Sequence, residues 1–236
     1  MSYLDYQKLA EFPGQEFRQR KPYPWTNPQG LLTEDGFQYL VSHLPDFSLF
    51  EKSFGYARRF GQKGHDKYAL EYDAGLPIDP AWHEFVNELY SEPYRRFLRK
   101  LYGLRPMKLS FHWHYAESGG SVSPHCDSRN KIGSHIFYLN TKDDWKEEWG
   151  GQTLVLDDHG KRSWKSAPDF SDFDEPEAAQ AIGNYSMLFQ RTPHSWHGVK
   201  AIDCPAGYHR KVFIVVIERV RPLKAVRSFF KSLASG

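Results

Sequence analysis

Between Thr33 and Gly103 the apolar positions recur with helical spacing. Thr33 can cap a segment in which Phe37, Leu40, Val41 and Leu44 fall at i, i+3, i+4 and i+7, and Pro45 stops it. Asp79-Pro80 reads as a cap followed by proline at the first helical position, with Trp82, Phe85, Val86 and Leu89 forming one face. Ser91 then opens a second helix carrying Tyr94, Phe97, Leu98 and Leu101, with Gly103 as its stop. From Lys108 the period shortens. Strands are predicted over 108–115, 133–140, 152–156, 185–191, 195–201 and 210–220, joined by turn-rich loops. Val212 to Ile217 is apolar at every position, as expected of a strand buried on both faces. Helices first and many short strands afterwards predict an α+β, mainly β fold, a double-stranded β-helix (jelly roll) supported by N-terminal helices. A single domain over 1–236 is expected: an arm and helices over 1–105, the β core over 106–220 and a basic tail over 221–236.

Other segments follow neither period. Residues 1–30, rich in proline, aromatic and basic side chains, read as an extended arm. Residues 49–72 stay unassigned, and Arg58, Arg59, Lys67 and Tyr68 read as exposed loop positions rather than substrate contacts. The stretch 157–183, with Asp169, Asp172, Asp174, Glu175 and Glu177, is long enough to form a lid or to lack order. Beyond Val220, a helix from Leu223 would set Leu223, Val226, Phe230 and Leu233 apart from its cations. Docking on the body is the expected use of that helix, and peripheral contact with an anionic membrane is the alternative.

Composition narrows the class. A mean hydropathy of −0.67 and the lack of a long apolar run exclude a membrane-spanning helix. The first residues have no signal-peptide character, and Cys126 and Cys204 are too few for a disulfide framework, so a reducing cytoplasm is expected. A net charge of +2 gives no reason to expect nucleic acid. Oligomeric state is not readable from the chain.

The chemistry gathers around His125-Cys126-Asp127. On an extended strand His125 and Asp127 leave the same face, while Cys126 points away as a small buried group. His197 lies far enough downstream to return beside them. Two imidazoles and one carboxylate on one side of a metal suit non-haem Fe(II) with positions left open. Arg210 opens the apolar strand, and a cation there calls for an anion. A small dicarboxylate, chelating the metal at one end and gripped by Arg210 at the other, would also account for Tyr115 and Tyr138.

The order Tyr115, His125-Cys126-Asp127, Ile136-Phe137-Tyr138-Leu139-Asn140, Trp149-Gly150-Gly151, His197-Gly198-Val199, Arg210 resembles the Fe(II)/2-oxoglutarate-dependent dioxygenases, in their prolyl-hydroxylase-like branch. It covers residues 108–218, about half the chain. The resemblance implies His125, Asp127 and His197 as metal ligands and Arg210 as the salt-bridge partner of the distal carboxylate of 2-oxoglutarate. It further implies Tyr138 as a hydrogen-bond partner of that carboxylate and Tyr115 as a lining of the cosubstrate pocket. Fe(II), 2-oxoglutarate and O2 are the implied cofactor and cosubstrates, with ascorbate as an optional reductant. The implied reaction hydroxylates an unactivated C–H of a small-molecule or peptidyl substrate and releases succinate and CO2. Asp127 favours hydroxylation, since halogenating relatives lack this carboxylate. The departures are the insert after Leu156 and His194, close to His197.

Two other readings stand beside this one. His112 and His114 share a strand face and resemble a cupin metal pair, for an enzyme or a sensor, but leave Arg210 and Tyr138 without a role. A jelly roll that binds without catalysis is the third. His194 should face away from His197, as a supporting or surface histidine.

Overall fold

The computed structural model describes residues 1–220 except Ala57. Five helices precede the β core: α1 (Tyr6–Glu11), α2 (Gly14–Gln19), α3 (Glu34–Ser42), α4 (Pro80–Leu89) and α5 (Glu92–Tyr102). The strands are β1 (Trp25–Thr26), β2 (Glu51–Ser53), β3 (Lys67–Glu71), β4 (Met107–Ala116), β5 (Val122–His125), β6 (Lys131–Tyr138), β7 (Leu154–Leu156), β8 (Glu177–Ala178), β9 (Ser186–Gln190), β10 (Trp196–Val199) and β11 (Arg210–Arg219). They form a seven-stranded sheet in the order β1-β9-β6-β11-β4-β3-β2 and a four-stranded sheet in the order β5-β10-β7-β8. Every pairing is antiparallel. This is the expected jelly-roll core.

The caps act as their sequences require. The Thr33 hydroxyl accepts from the Gly36 amide and the Asp79 carboxylate from the Ala81 amide. Ser91 holds the cap position of α5 without a side-chain hydrogen bond to the helix, and Gly103 ends it at φ 88°. In β11 the alternation sorts two cores. Phe213, Val215 and Ile217 face the helices, while Val212 joins Ile136, Tyr138, Val155 and Met187 between the sheets. Phe213 is fully buried against Trp82, Phe85, Phe111 and Trp113. Phe213→Ala is therefore expected to cost about 3–5 kcal/mol, read as a lower denaturation midpoint in urea.

Several expectations are corrected. Residues 1–30 are not an extended arm. Asp5 caps α1, and Leu9, Phe12 and Phe17 pack inward, with the Phe12 ring 5.2 Å from Phe97. Amphipathic burial against α5 outweighs the proline content, and Pro13 merely separates the two short helices. The unassigned stretch contributes β2 and β3, which extend the large sheet from β4. β5 also escaped the pattern because Pro124 interrupts it. That proline is tolerated since β5 is an edge strand. The 157–183 insert is built onto the core: β8 pairs with β7, and Phe173 lies 5.7 Å from Trp196. The tail helix predicted from Leu223, with its membrane contact, lies outside the described residues. No described helix is long and apolar enough to cross a membrane.

Candidate metal centre

Between the two sheets lies a cavity of about 370 Å³. His125 ends β5 and His197 sits directly opposite it in β10, so the ladder register itself brings the two imidazoles together. Their ring centroids are 4.3 Å apart. Asp127 follows in the loop after β5, and one donor atom from each of the three residues lies within 4.8 Å of the others. Among the described residues this is the one such cluster of His, Cys, Asp or Glu.

The histidines are oriented alike. The Nδ1 of His125 is 2.9 Å from the Ser123 carbonyl, and that of His197 is 3.0 Å from the Ser195 carbonyl. A carbonyl only accepts, so Nδ1 carries the proton and Nε2 keeps its lone pair for a ligand. Burial holds His125 well below the usual imidazole range, helped by His197, His65 and Arg58, and burial likewise lowers His197. Burial works against the Asp127 carboxylate. Lys131, whose ammonium donates to it at 2.8 Å, and His197 outweigh that and bring it down to about 2. Two neutral imidazoles and one carboxylate therefore converge as acceptors, with the His125 Nε2 3.9 Å from Asp127 Oδ1. A divalent cation with open positions fits that donor set.

Across the cavity stands Arg210. It is buried, donates from Nε to the Gly151 carbonyl at 2.5 Å and from Nη2 to Thr153 Oγ1 at 3.3 Å. Burial weighs against its charge, and among the described residues no carboxylate pairs with it. A buried guanidinium in that condition is a seat for an anion. Gly151, at φ 87°, permits this closeness, since a Cβ there would lie 3.0 Å from the Arg210 side chain. Gly198 plays a similar part beside His197: its Cβ would lie 2.7 Å from the Val122 carbonyl and 2.9 Å from Phe170 of the insert.

Not every expected residue reaches the cavity. Tyr138 is on the correct face, but its hydroxyl donates to Thr153 Oγ1 at 2.9 Å and the Arg210 guanidinium lies over its ring, 5.7 Å from the centroid. Thr153, not Tyr138, is exposed to the cavity. Tyr115 is a clear correction. The alternation of β4 sends Leu109, Phe111, Trp113 and Tyr115 into the helix-facing core, where Tyr115 packs 4.4 Å from Phe50. His114 lines the cavity instead. His112 and His114 recruit no third donor for a cluster among the described residues. His194 turns to Asp158 at 2.9 Å on the surface side, Lys211 pairs with Asp144, and Cys126 is buried beside Leu154, Leu156 and Trp196.

Arg58 and Lys67 also line the cavity, contrary to their reading as exposed loop positions, and His65 lines it with them. Their signal was two basic groups in an aromatic stretch, which periodicity could not place. The insert holds the β2–β3 loop from outside: Gln62 donates to the Ser166 carbonyl at 2.9 Å, Lys63 meets Asp169 at 2.5 Å, and Phe60 packs on Trp164. Lys131, Ser134 and Thr153 complete the polar wall.

Comparison with known proteins agrees with this geometry. Residues 110–217 match the 2OG-Fe(II) oxygenase superfamily. Among curated protein sequences none matches the chain. A prolyl-4-hydroxylase from Pseudomonas putida is similar in structure, with a TM-score of 0.64 at 14% identity over 90% of this chain and 100% of that one. A Trichoplax adhaerens prolyl hydroxylase, solved with a hypoxia inducible factor peptide, gives 0.60 at 12% identity over 90% of each chain. An alpha-ketoglutarate-dependent epimerase of nogalamycin biosynthesis gives 0.54 at 14% identity over 92% of this chain and 87% of that one. At these identities the likeness is one of fold.

Proposed function

We infer that this chain, whose residues 110–217 match the 2OG-Fe(II) oxygenase superfamily, is an Fe(II)- and 2-oxoglutarate-dependent hydroxylase. The observation that supports it most is the pairing, in one cavity, of a three-donor acceptor cluster with a buried guanidinium that has no carboxylate partner. His125, Asp127 and His197 would hold the metal, and Arg210 the distal carboxylate of the cosubstrate. With Fe(II), 2-oxoglutarate and O2 bound, the centre supplies the oxidising chemistry that yields succinate and CO2 and hydroxylates a substrate C–H.

The chain's own contribution is position and charge. The Ser123 and Ser195 carbonyls fix the ligand tautomers. Gly151 and Thr153 hold the Arg210 side chain, so it would present a preset fork to the distal carboxylate of the cosubstrate. Lys131 keeps the Asp127 carboxylate ionised and aimed. Val212, Ile214 and Phe189 line the cavity with apolar surface that limits water. The described residues are read as one domain in which the helices brace the large sheet. Two free, buried cysteines accord with a reducing compartment such as the cytoplasm.

Relatives of this fold carry names of peptidyl and small-molecule enzymes, and either class suits a cavity of this size. The test is succinate release by the iron-loaded protein from 2-oxoglutarate in air, with ascorbate present. Iron-dependent succinate and CO2 in equal amounts are expected, even without substrate at a slow rate. No succinate from a protein that binds both iron and 2-oxoglutarate would contradict the proposal.

A further inference from the structure

The cavity contains more positive charge than the cosubstrate uses. Arg58, Lys67, Lys131 and Arg210 line it, and among the described residues Asp127 is the one acidic side chain that does. Four cations against one carboxylate leave three uncompensated. Fe(II) and the 2-oxoglutarate dianion cancel each other, so loading the centre does not remove the excess. Lys131 is paired with Asp127, and Arg210 has the cosubstrate in the reading above, on which this inference rests.

Arg58 and Lys67 are left. Arg58 Nη1 lies 2.7 Å from His65 Nε2, and Lys67 Nζ lies 3.3 Å from His114 Nε2. Both partners are neutral imidazoles, since in each the Nε2 must accept from the cation facing it, and burial also holds His114 well below its ordinary range. A neutral ring offers a lone pair and no counter-charge. Burial, with Lys131 and Arg58 nearby, outweighs Asp127 and pulls Lys67 down to about 8. Both side chains are only partly exposed, so water does not fully replace the missing charge.

Their seat is distinct from that of the cosubstrate. Lys67 and Arg210 lie on strands either side of β4, two strand spacings or about 10 Å apart at the backbone. Arg58 instead adjoins the metal centre through His65, whose Nε2 lies 2.7 Å from Arg58 Nη1 and whose ring centroid lies 4.2 Å from that of His125. An anion between Arg58 and Lys67 would therefore carry its neighbouring carbons toward the metal.

We propose that the substrate of this enzyme bears an anionic group, a carboxylate or a phosphate, seated between Arg58 and Lys67 on the β2–β3 side of the cavity. The charge selects the substrate and orients it, because a cationic or neutral analogue leaves the two half-buried cations unpaired.

The test uses anaerobic Fe(II)-protein saturated with 2-oxoglutarate and four probes on one six-carbon chain: hexanoate, hexyl phosphate, hexanamide and hexylamine. Calorimetric titration should show at least one of the two anions binding about 10–100-fold more tightly than the amide, with the amine weakest. Which anion binds better distinguishes a carboxylate from a phosphate. R58Q and K67Q should each shrink the anion-to-amide ratio, and R58K and K67R should recover part of it. Equal binding of all four probes, or preference for the amine, would overturn the inference while leaving succinate formation intact. A loss of 2-oxoglutarate affinity in K67Q matching that of R210A would also overturn it, by assigning Lys67 to the cosubstrate. Failure of the wild-type protein to bind 2-oxoglutarate at all would instead sink the proposed function.

Discussion

Arg210→Ala is expected to retain Fe(II) and to bind 2-oxoglutarate roughly two to three decades more weakly. The guanidinium is buried, is held by Gly151 and Thr153, and has no carboxylate partner among the described residues. A buried dianion that loses its charged partner forfeits about 3–5 kcal/mol. Arg210→Lys should recover part of this, since an ammonium keeps the charge but not the two-pronged fork. Tyr138→Phe should cost less, about 0.5–1.5 kcal/mol, because its hydroxyl bonds Thr153 rather than facing the anion. Titration of the anaerobic iron-loaded variants with 2-oxoglutarate measures all three. If Lys211→Ala abolished binding and Arg210→Ala did not, the cosubstrate would lie on the other face of β11, where Lys211 now pairs with Asp144.

His125→Ala, Asp127→Ala and His197→Ala should each cut iron retention by more than about 100-fold, since even supporting residues around metal ligands cost 10–100-fold. Their donor atoms converge within 4.8 Å, so no one of them is redundant. Asp127→Ala carries a second penalty, leaving the Lys131 ammonium without its partner. His112→Ala and His194→Ala should keep their iron, because His194 faces Asp158 and His112 belongs to no described ligand cluster. Metal analysis after gel filtration, with circular dichroism to confirm folding, reads the comparison.

Much of this site was legible before any coordinates, and the reasons are specific. His125 and Asp127 are two residues apart, and Arg210 begins a strand whose alternation separates it from Lys211; both statements follow from backbone geometry. The helices over 34–42, 80–89 and 92–102 were marked by caps and apolar faces. Tyr115 was misread because the same alternation, applied along β4, assigns the cavity to His114 and the helix-facing core to Tyr115. Arg58 and Lys67 escaped for another reason. Their side of the cavity is set by pairing between β3 and β4 and by contacts from the insert, which are long-range and leave no local period. The N-terminal helices were hidden because six-residue helices depend on packing more than on propensity.

The most direct measurement is anomalous scattering at the iron edge from crystals grown without oxygen in Fe(II) and 2-oxoglutarate. One iron is expected, bonded to Nε2 of His125, Nε2 of His197 and a carboxylate oxygen of Asp127, with the distal cosubstrate carboxylate on Arg210. Iron between His112 and His114, or 2-oxoglutarate seated away from Arg210, would contradict the assignment of this centre.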